Sequence, residues 1–336
     1  MKIAAVSGME RFRTNLEALG LSGEYGLEQL IGAARVAGPE LADFLGVSLD
    51  DLVHSVETAL PTASAIPQSA LETISHATYS LGVAIDRIPH LTEAPDLALP
   101  AAAPPANVSL VPGMPPIRNQ GTRGTCVAHA ALAMYEHQLN TQAAFQDLSE
   151  QFLYWNCKRN DGIPNEEGTW LAVAVPLLQR DGCCLETTWQ YQPNPISGNE
   201  GQGPPPGGAQ LEALTFRVPS VKQLSPTSVD DIKNELAGGR CVAFSIPVFN
   251  SWYRSTWVAF TGDITMPVPG EIRVGGHAMC LVGYTDLPNL GLGGGRFILR
   301  NSWGTNWGTN SSLGPGYGTI PYAYIAKMGT EAYSIG

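Results

Sequence analysis

Apolar residues recur at three- and four-residue steps near the start of the chain: Leu16 and Leu19, then Leu27, Leu30, Ile31 and Ala34, then Leu41, Phe44 and Leu45. That spacing lines one face of successive helices. Gly38-Pro39 punctuates two of these runs. Ser48 before Leu49-Asp50-Asp51-Leu52-Val53 reads as an N-cap followed by acids in the first turn. A further short helix is expected over Pro67 to Ile85. Between Pro95 and Pro116 the pattern stops: seven prolines fall there, around Ala101-Ala102-Ala103. Proline fixes φ and cannot sustain a helix, so this reads as a semi-extended linker. The expected organisation is a helical module over 1–94, a Pro/Ala-rich linker over 95–106 and a second domain over 107–336.

In the second domain, helices come first and strands later. Ala128, Ala131, Leu132, Tyr135 and Leu139 share one face of a helix expected over Thr125 to Asn140. A second helix starts near Ser149 and a third runs from Thr169 to Gln179. Gln192 to Ala209 has no periodicity and is rich in Gly and Pro. Short β-like runs follow at 241–246, 278–284 and 296–300. The order predicts an α+β fold in which each class forms its own half.

Composition narrows the partners. With 44% hydrophobic and 15% charged residues, and 37 Gly and 26 Pro, the chain is globular with many turns. Its net charge of −11 speaks against nucleic acid and against an anionic membrane surface. No apolar stretch of transmembrane length and no Sec-type leader is visible, so the expected location is cytoplasmic, or outside by a non-Sec route. Six cysteines are too few for a disulfide framework in a chain this long. A bridge from Cys183 or Cys184 to Cys157 stays open. Cys126 and His129 have a C-x-x-H spacing without a matching second pair, so no metal and no cofactor is expected.

Three separated segments carry the chemistry. Pro116 to Ala130 contains Gln120-Gly121-Thr122-Arg123-Gly124-Thr125-Cys126. Gly275 to Tyr284 begins Gly275-Gly276-His277-Ala278. Arg300 to Gly308 begins Arg300-Asn301-Ser302-Trp303-Gly304. Cys126 follows a Gly-rich turn and opens a helix, where free N–H groups and the helix dipole favour an anion and lower a thiol pKa. A thiolate needs a cationic partner that later donates a proton, and one imidazole, His277, can do both. Asn301 offers a neutral amide oxygen to orient that ring. Gln120 can aim its amide at a developing oxyanion, beside the Cys126 N–H.

These motifs, together with Leu148-Ser149-Glu150-Gln151, resemble the papain family of cysteine peptidases from about residue 107 to about residue 330. The resemblance implies a bacterial-type, papain-like two-lobed fold, with a helical left half carrying Cys126 and a β-barrel-like right half carrying His277 and Asn301. It implies catalytic roles for Cys126, His277, Asn301 and Gln120. Trp303 resembles the tryptophan that shields the Asn–His bond. Gly168 is the candidate wall residue whose backbone pairs with substrate, and Ala278 lines the second subsite. The implied partner is a protein or peptide substrate.

The departures are specific. Arg123 stands where secreted members carry a disulfide cysteine, and Pro164-Asn165-Glu166-Glu167 replaces the segment that faces it, so that bridge cannot form. Val127 replaces the usual tryptophan after the nucleophile. Glu166 and Glu167 would favour a basic substrate residue or simply form a solvated loop. His129, one turn after Cys126, reads as packing, Cys280 as core, and the glycines around 291–295 as a strand-connecting turn. The N-terminal segment could inhibit intramolecularly or dock a partner. The expected activity is peptide hydrolysis through an acyl-enzyme. Acyl transfer or deamidation by the same residues, and a non-catalytic binding module, are the alternatives.

Overall fold

The structure, a computed structural model, describes residues 12–21, 26–59, 79–87, 104–288 and 292–336. Four helices open the chain: α1 (Arg13–Ala18), α2 (Gly26–Val36), α3 (Gly38–Leu45) and α4 (Leu49–Ala59). Pro39 stands in the first turn of α3, where its missing N–H costs nothing. Gly46, left-handed at φ 69°, ends that helix. Ser48 Oγ accepts from Asp51 N at 3.0 Å and starts α4 as expected.

Of the helix expected over Pro67 to Ile85, residues 67–78 lie outside the described residues. The described part is not helical. Residues 79–84 are extended and 85–87 form one 3-10 turn. The stretch Leu81-Gly82-Val83-Ala84 finds its backbone partners across a cleft rather than within itself. Most of the expected linker, 95–103, also lies outside the described residues.

The rest of the chain builds β1 (Asn107–Ser109), α5 (Cys126–Thr141), α6 (Glu150–Asn160), α7 (Leu171–Arg180), α8 (Ala209–Ala213), β2 (Val221–Gln223), α9 (Val229–Ala237), β3 (Val242–Phe249), α10 (Asn250–Tyr253), α11 (Thr256–Thr261), β4 (Arg273–Asp286), β5 (Gly295–Arg300), β6 (Tyr317–Pro321), α12 (Tyr322–Met328) and β7 (Glu331–Ile335). The strands form one antiparallel sheet in the order β2-β7-β3-β4-β5-β6, with β1 also on β4. This is the α+β arrangement that the motifs imply.

Period-two alternation in the central strands divides the interior. Met279 and Leu281 of β4, Phe244 and Ile246 of β3, and Phe297 and Leu299 of β5 point into one core. Ala278, Cys280 and Val282 point with Ala243 and Ile298 into a second core, built on α5, α6 and α7. The first core also takes in Leu16, Leu27, Leu30, Ile31 and Leu41 of α1–α3. Hydrogen bonds tie that packing down: Met266 N donates to Leu19 O at 3.1 Å, and the Gln29 side-chain Nε2 to Asp263 O at 3.3 Å.

The four short strands and α9–α12 carry little periodic signal. In β6 a glycine and a proline interrupt a five-residue strand, which it tolerates at the sheet edge. In β7 a charged residue, Glu331, is fully buried. Its carboxylate accepts from Ala172 N in the first turn of α7 at 2.8 Å and from Ser245 Oγ at 2.9 Å. The suggested bridge from Cys157 to Cys183 or Cys184 does not form. All six cysteines are free and buried, and Cys183 Sγ donates instead to Ser149 O at 3.2 Å.

Candidate active site

Cys126 is the first residue of α5. Its N-cap, Thr125, makes no side-chain cap; Thr125 Oγ1 bonds Tyr191 OH at 2.6 Å, which itself donates to Gln120 O at 2.8 Å. An uncapped start leaves N–H groups facing outward from the helix end. Across from it, β4 delivers His277 and Ala278. Ala278 N–H points at Cys126 Sγ at 3.4 Å, which fixes the sulfur beside the base of that strand.

His277 Nε2 pairs with Asn301 Oδ1 at 2.8 Å, and the same oxygen accepts from Ser302 N at 2.8 Å. Asn301 thus acts as acceptor, the tautomer-fixing arrangement that leaves Nδ1 as the ring atom for a thiol. His277 Nδ1 has no hydrogen-bond partner among the described residues. Trp303 lies over the ring, 4.6 Å between centroids and 25° from parallel, and closes that side to water. Gln120 is fully buried and held twice to the third motif. Its N donates to Ser302 O at 2.8 Å, and its Oε1 accepts from Ser302 Oγ at 2.6 Å. The amide nitrogen is thereby turned toward the cleft.

Residues 79–87 cross this cleft. Tyr79 stacks on Trp303 at 4.6 Å, and Ser80 O accepts from Trp303 Nε1 at 3.0 Å and from Gln120 Nε2 at 3.1 Å. Gly82 and Val83 donate to Gly276 O at 3.2 Å each. Thr169 N donates to Gly82 O at 3.0 Å, and Ala84 N to Thr169 O at 3.4 Å, a parallel bridge. Trp170 Nε1 reaches Ala84 O at 2.9 Å. Only glycine fits where the segment passes the turn before Cys126, since a Cβ on Gly82 would stand 2.1 Å from Gly124 O. Beyond it, Arg87 pairs with Glu166, and Asp86 with Arg273, both at the surface.

Gly168 lies under this segment, where a Cβ would meet Gly82 O at 2.8 Å. Its own backbone groups are engaged inward, the N–H by Tyr154 OH at 3.0 Å and the carbonyl by Lys158 Nζ at 2.7 Å. The backbone that pairs across the cleft is therefore that of Thr169. Ala278 is fully buried in the same wall as Val83 and Trp170. Glu166 and Glu167 are both exposed, Glu167 with its side chain beside Gly124.

Burial sets the charge state of the site. The thiol of Cys126 is pushed up to about 12 by desolvation, although N–H groups of Ala278, Gly82 and Val127 pull the other way. His277 is pushed down to about 4, again by desolvation, against the support of Asn301. The low thiol pKa expected from the helix start is thus reversed. Under residues 79–87 no water reaches the pair, and the neutral forms win.

Sequence reasoning missed what replaces the absent disulfide. Arg123 is 1% exposed, donates to Gln151 Oε1 at 2.7 Å, Gln192 O at 2.8 Å and Glu200 O at 3.1 Å, and sits against the Tyr154 and Tyr191 rings. It clamps the Cys126 turn to α6 and to the loop after 192. The signal was present in a charged residue flanked by glycines at a disulfide position, but its partners are far away in the chain. Among the described residues no helix is long and apolar enough to cross a membrane.

Comparison with known proteins gives a consistent picture. A peptidase C1-like protein of Acanthamoeba polyphaga mimivirus is 31% identical over 219 residues, covering 62% of this chain and 65% of its own length. Peptidase 1 of Dermatophagoides pteronyssinus is 26% identical over 222 residues, covering 65% and 60%. The matched region thus spans less than two thirds of these relatives. The crystal structure of xylellain, a cysteine protease from Xylella fastidiosa, superposes with a TM-score of 0.63 at 25% identity, over 76% of this chain and 95% of that one. Digestive procathepsin L 3 of Tenebrio molitor larval midgut shares the fold at 15% identity and a TM-score of 0.54, over 91% of each chain. Residues 108–322 match the family described as papain family cysteine protease, and on that match the chain belongs to the papain family.

Proposed function

We propose that the chain is a cysteine peptidase that hydrolyses peptide bonds through Cys126, His277 and Asn301. The observation that carries this reading is the His277 Nε2–Asn301 Oδ1 bond, with Cys126 Sγ held against the next residue, Ala278. In the open cleft the thiol passes its proton to His277 Nδ1 and attacks the scissile carbonyl. The carbonyl oxygen is received by Gln120 Nε2 and the Cys126 N–H. The imidazolium gives its proton to the leaving amine, and an acyl-enzyme remains. Neutral His277 then draws a proton from water, which releases the acid and restores the thiol.

Residues 79–87 act in this reading as an intramolecular inhibitor. Their carbonyl at Ser80 lies on Gln120 Nε2 and Trp303 Nε1, the donors a substrate needs. The segment runs from Trp303 toward Thr169. A substrate with its acyl part along the Thr169 wall runs the other way, so the strap blocks the cleft without presenting a peptide bond in the reactive direction.

Intact mass after treatment with an epoxysuccinyl thiol reagent tests both statements, with Cys126→Ala as control. The expected result is slow adduct formation on the full chain, confined to Cys126, and fast formation when the strap is displaced. Rapid labelling of the untouched full chain would remove the inhibitory role. No adduct in either state would overturn the peptidase reading and favour a binding module.

A further inference from the structure

Gly168 O and Thr169 N–H belong to one peptide unit, and in a trans peptide the two point in opposite directions. The oxygen faces inward, where Lys158 Nζ donates to it at 2.7 Å. The N–H faces the cleft, where Thr169 N donates to Gly82 O of the strap at 3.0 Å. The peptide unit before it is held as well. Gly168 N donates to Tyr154 OH at 3.0 Å, and that hydroxyl donates onward to Glu200 Oε1 at 2.6 Å. Tyr154 and Lys158 stand four residues apart in α6, on one face of the helix. Two side chains of one helix therefore grip both peptides that flank Gly168. No disulfide shares this task, since all six cysteines are free.

The grip is built from an expensive group. Lys158 Nζ pairs with Asp161 Oδ2 at 2.8 Å, and the two side chains are 2% and 0% exposed. Taking both charges out of water is costly, and apolar side chains of similar volume serve stability as well or better. What an apolar side chain cannot do is donate to Gly168 O. A cation on that oxygen draws electron density through the amide and makes the N–H at its other end a stronger donor, because hydrogen bonds linked through one group polarise each other.

We propose that Lys158 is a positioning residue for the substrate. It aims and polarises the peptide between Gly168 and Thr169, so that Thr169 N–H takes a backbone carbonyl from the acyl part of a peptide, while Tyr154 fixes the peptide before it. The identity of that carbonyl rests on the peptidase reading. The donor itself does not, because the strap already uses it. Thr169 O accepts from Ala84 N at 3.4 Å, so strap and substrate compete for the same two backbone groups. Weakening the grip therefore has two effects of opposite sense: the strap loosens, and an admitted peptide binds less well.

The test uses the full chain with Lys158→Met. A second variant, Lys158→Met with Asp161→Asn, leaves no stranded buried charge, and its amide oxygen keeps the bond that Asp161 Oδ1 accepts from Ile163 N at 3.0 Å. Hydrogen exchange is measured first, without any substrate. The amides of Thr169 and Ala84 should exchange faster in both variants, while interior amides of α6 and α7 keep their rates. Hydrolysis is then measured in chains that also carry Gly82→Val, which cannot seat the strap against Gly124 O. For a blocked peptide amide long enough to reach Thr169, KM should rise roughly tenfold with kcat little changed, the scale of one weakened hydrogen bond. Turnover of p-nitrophenyl acetate, whose acyl group stops short of Thr169, should stay the same. Tyr154→Phe should move KM and Thr169 exchange in the same direction. Unchanged Thr169 exchange and unchanged KM in a folded variant would overturn the proposal. So would an equal loss on both substrates, which marks a purely structural role. If the Gly82→Val parent hydrolyses neither substrate, the peptidase reading falls, and the exchange rates alone decide whether Lys158 governs this donor.

Discussion

Gln120 Nε2 donates to the carbonyl oxygen of Ser80 at 3.1 Å, so the amide assigned to a developing oxyanion already holds a carbonyl of the chain's own backbone. Ser80 O takes a second bond from Trp303 Nε1. Two donors on one strap carbonyl, with Gly82 pressed against Gly124, make the closed cleft a property of a few short contacts. Each of them can be broken singly.

Gly82 is the position where the strap is most vulnerable. A side chain there would stand 2.1 Å from Gly124 O. Gly82→Val should lift residues 80–84 from the cleft and leave the helices and sheet in place. Losing about 1.4 kcal/mol of closure raises the open fraction tenfold. Epoxysuccinyl labelling of Cys126 should therefore accelerate by roughly ten- to a hundredfold. An unchanged rate in a folded variant would show that the strap does not limit access.

In the proposed mechanism Asn301 orients His277 and does not itself react. In the Gly82→Val background, Asn301→Ala should slow labelling and peptide hydrolysis by roughly 10²-fold, within the range for loss of acid–base positioning. Cys126→Ala should abolish both. The same residual rate for the two variants, with the fold intact by circular dichroism, would count against the assigned roles.

Arg123 takes the place of a covalent staple. Arg123→Ala orphans the acceptors on Gln151, Gln192 and Glu200. At about 1–3 kcal/mol per stranded group, with partial rehydration, a loss of about 3 kcal/mol is expected in chemical denaturation. Arg123→Lys should recover little of it, because one ammonium cannot span three acceptors held in a fork. Reductant should leave the Tm unchanged, since all six cysteines are free.

Closure should be pH-dependent in both directions. Burial lowers His277 from 6.5 to about 4, so the open form binds the extra proton first. Closure is therefore fully supported above pH 6.5 and weakens as pH falls toward about 4. Burial raises Cys126 from 9.0 to about 12, so closure also weakens as pH rises above 9.0. Hydrogen-exchange protection of residues 80–84, corrected for intrinsic rates, should be greatest between pH 6.5 and 9.0. Flat protection from pH 4 upward would show that neither group is dehydrated by the strap.

The residues proposed to carry the chemistry could be picked out because each stands in a local pattern. Cys126 follows a glycine turn at a helix start, His277 opens an apolar strand, and Asn301 closes another. The helices with three- and four-residue apolar steps and the alternating strands β3, β4 and β5 were legible for the same reason: a long periodic segment states its own buried face. What only tertiary structure decided lies in segments whose partners are remote. Leu81 to Ala84 spell an apolar run that suits a helix, yet Gly276 and Thr169 offer it backbone bonds and it stays extended. Glu331 carries no local signal of burial, and only the first turn of α7, remote in the chain, claims its carboxylate. The thiol of Cys126 illustrates the limit most clearly. Its helix start alone favours a thiolate, but burial beneath residues of the same chain reverses that preference, because desolvation outweighs the N–H groups that face the sulfur.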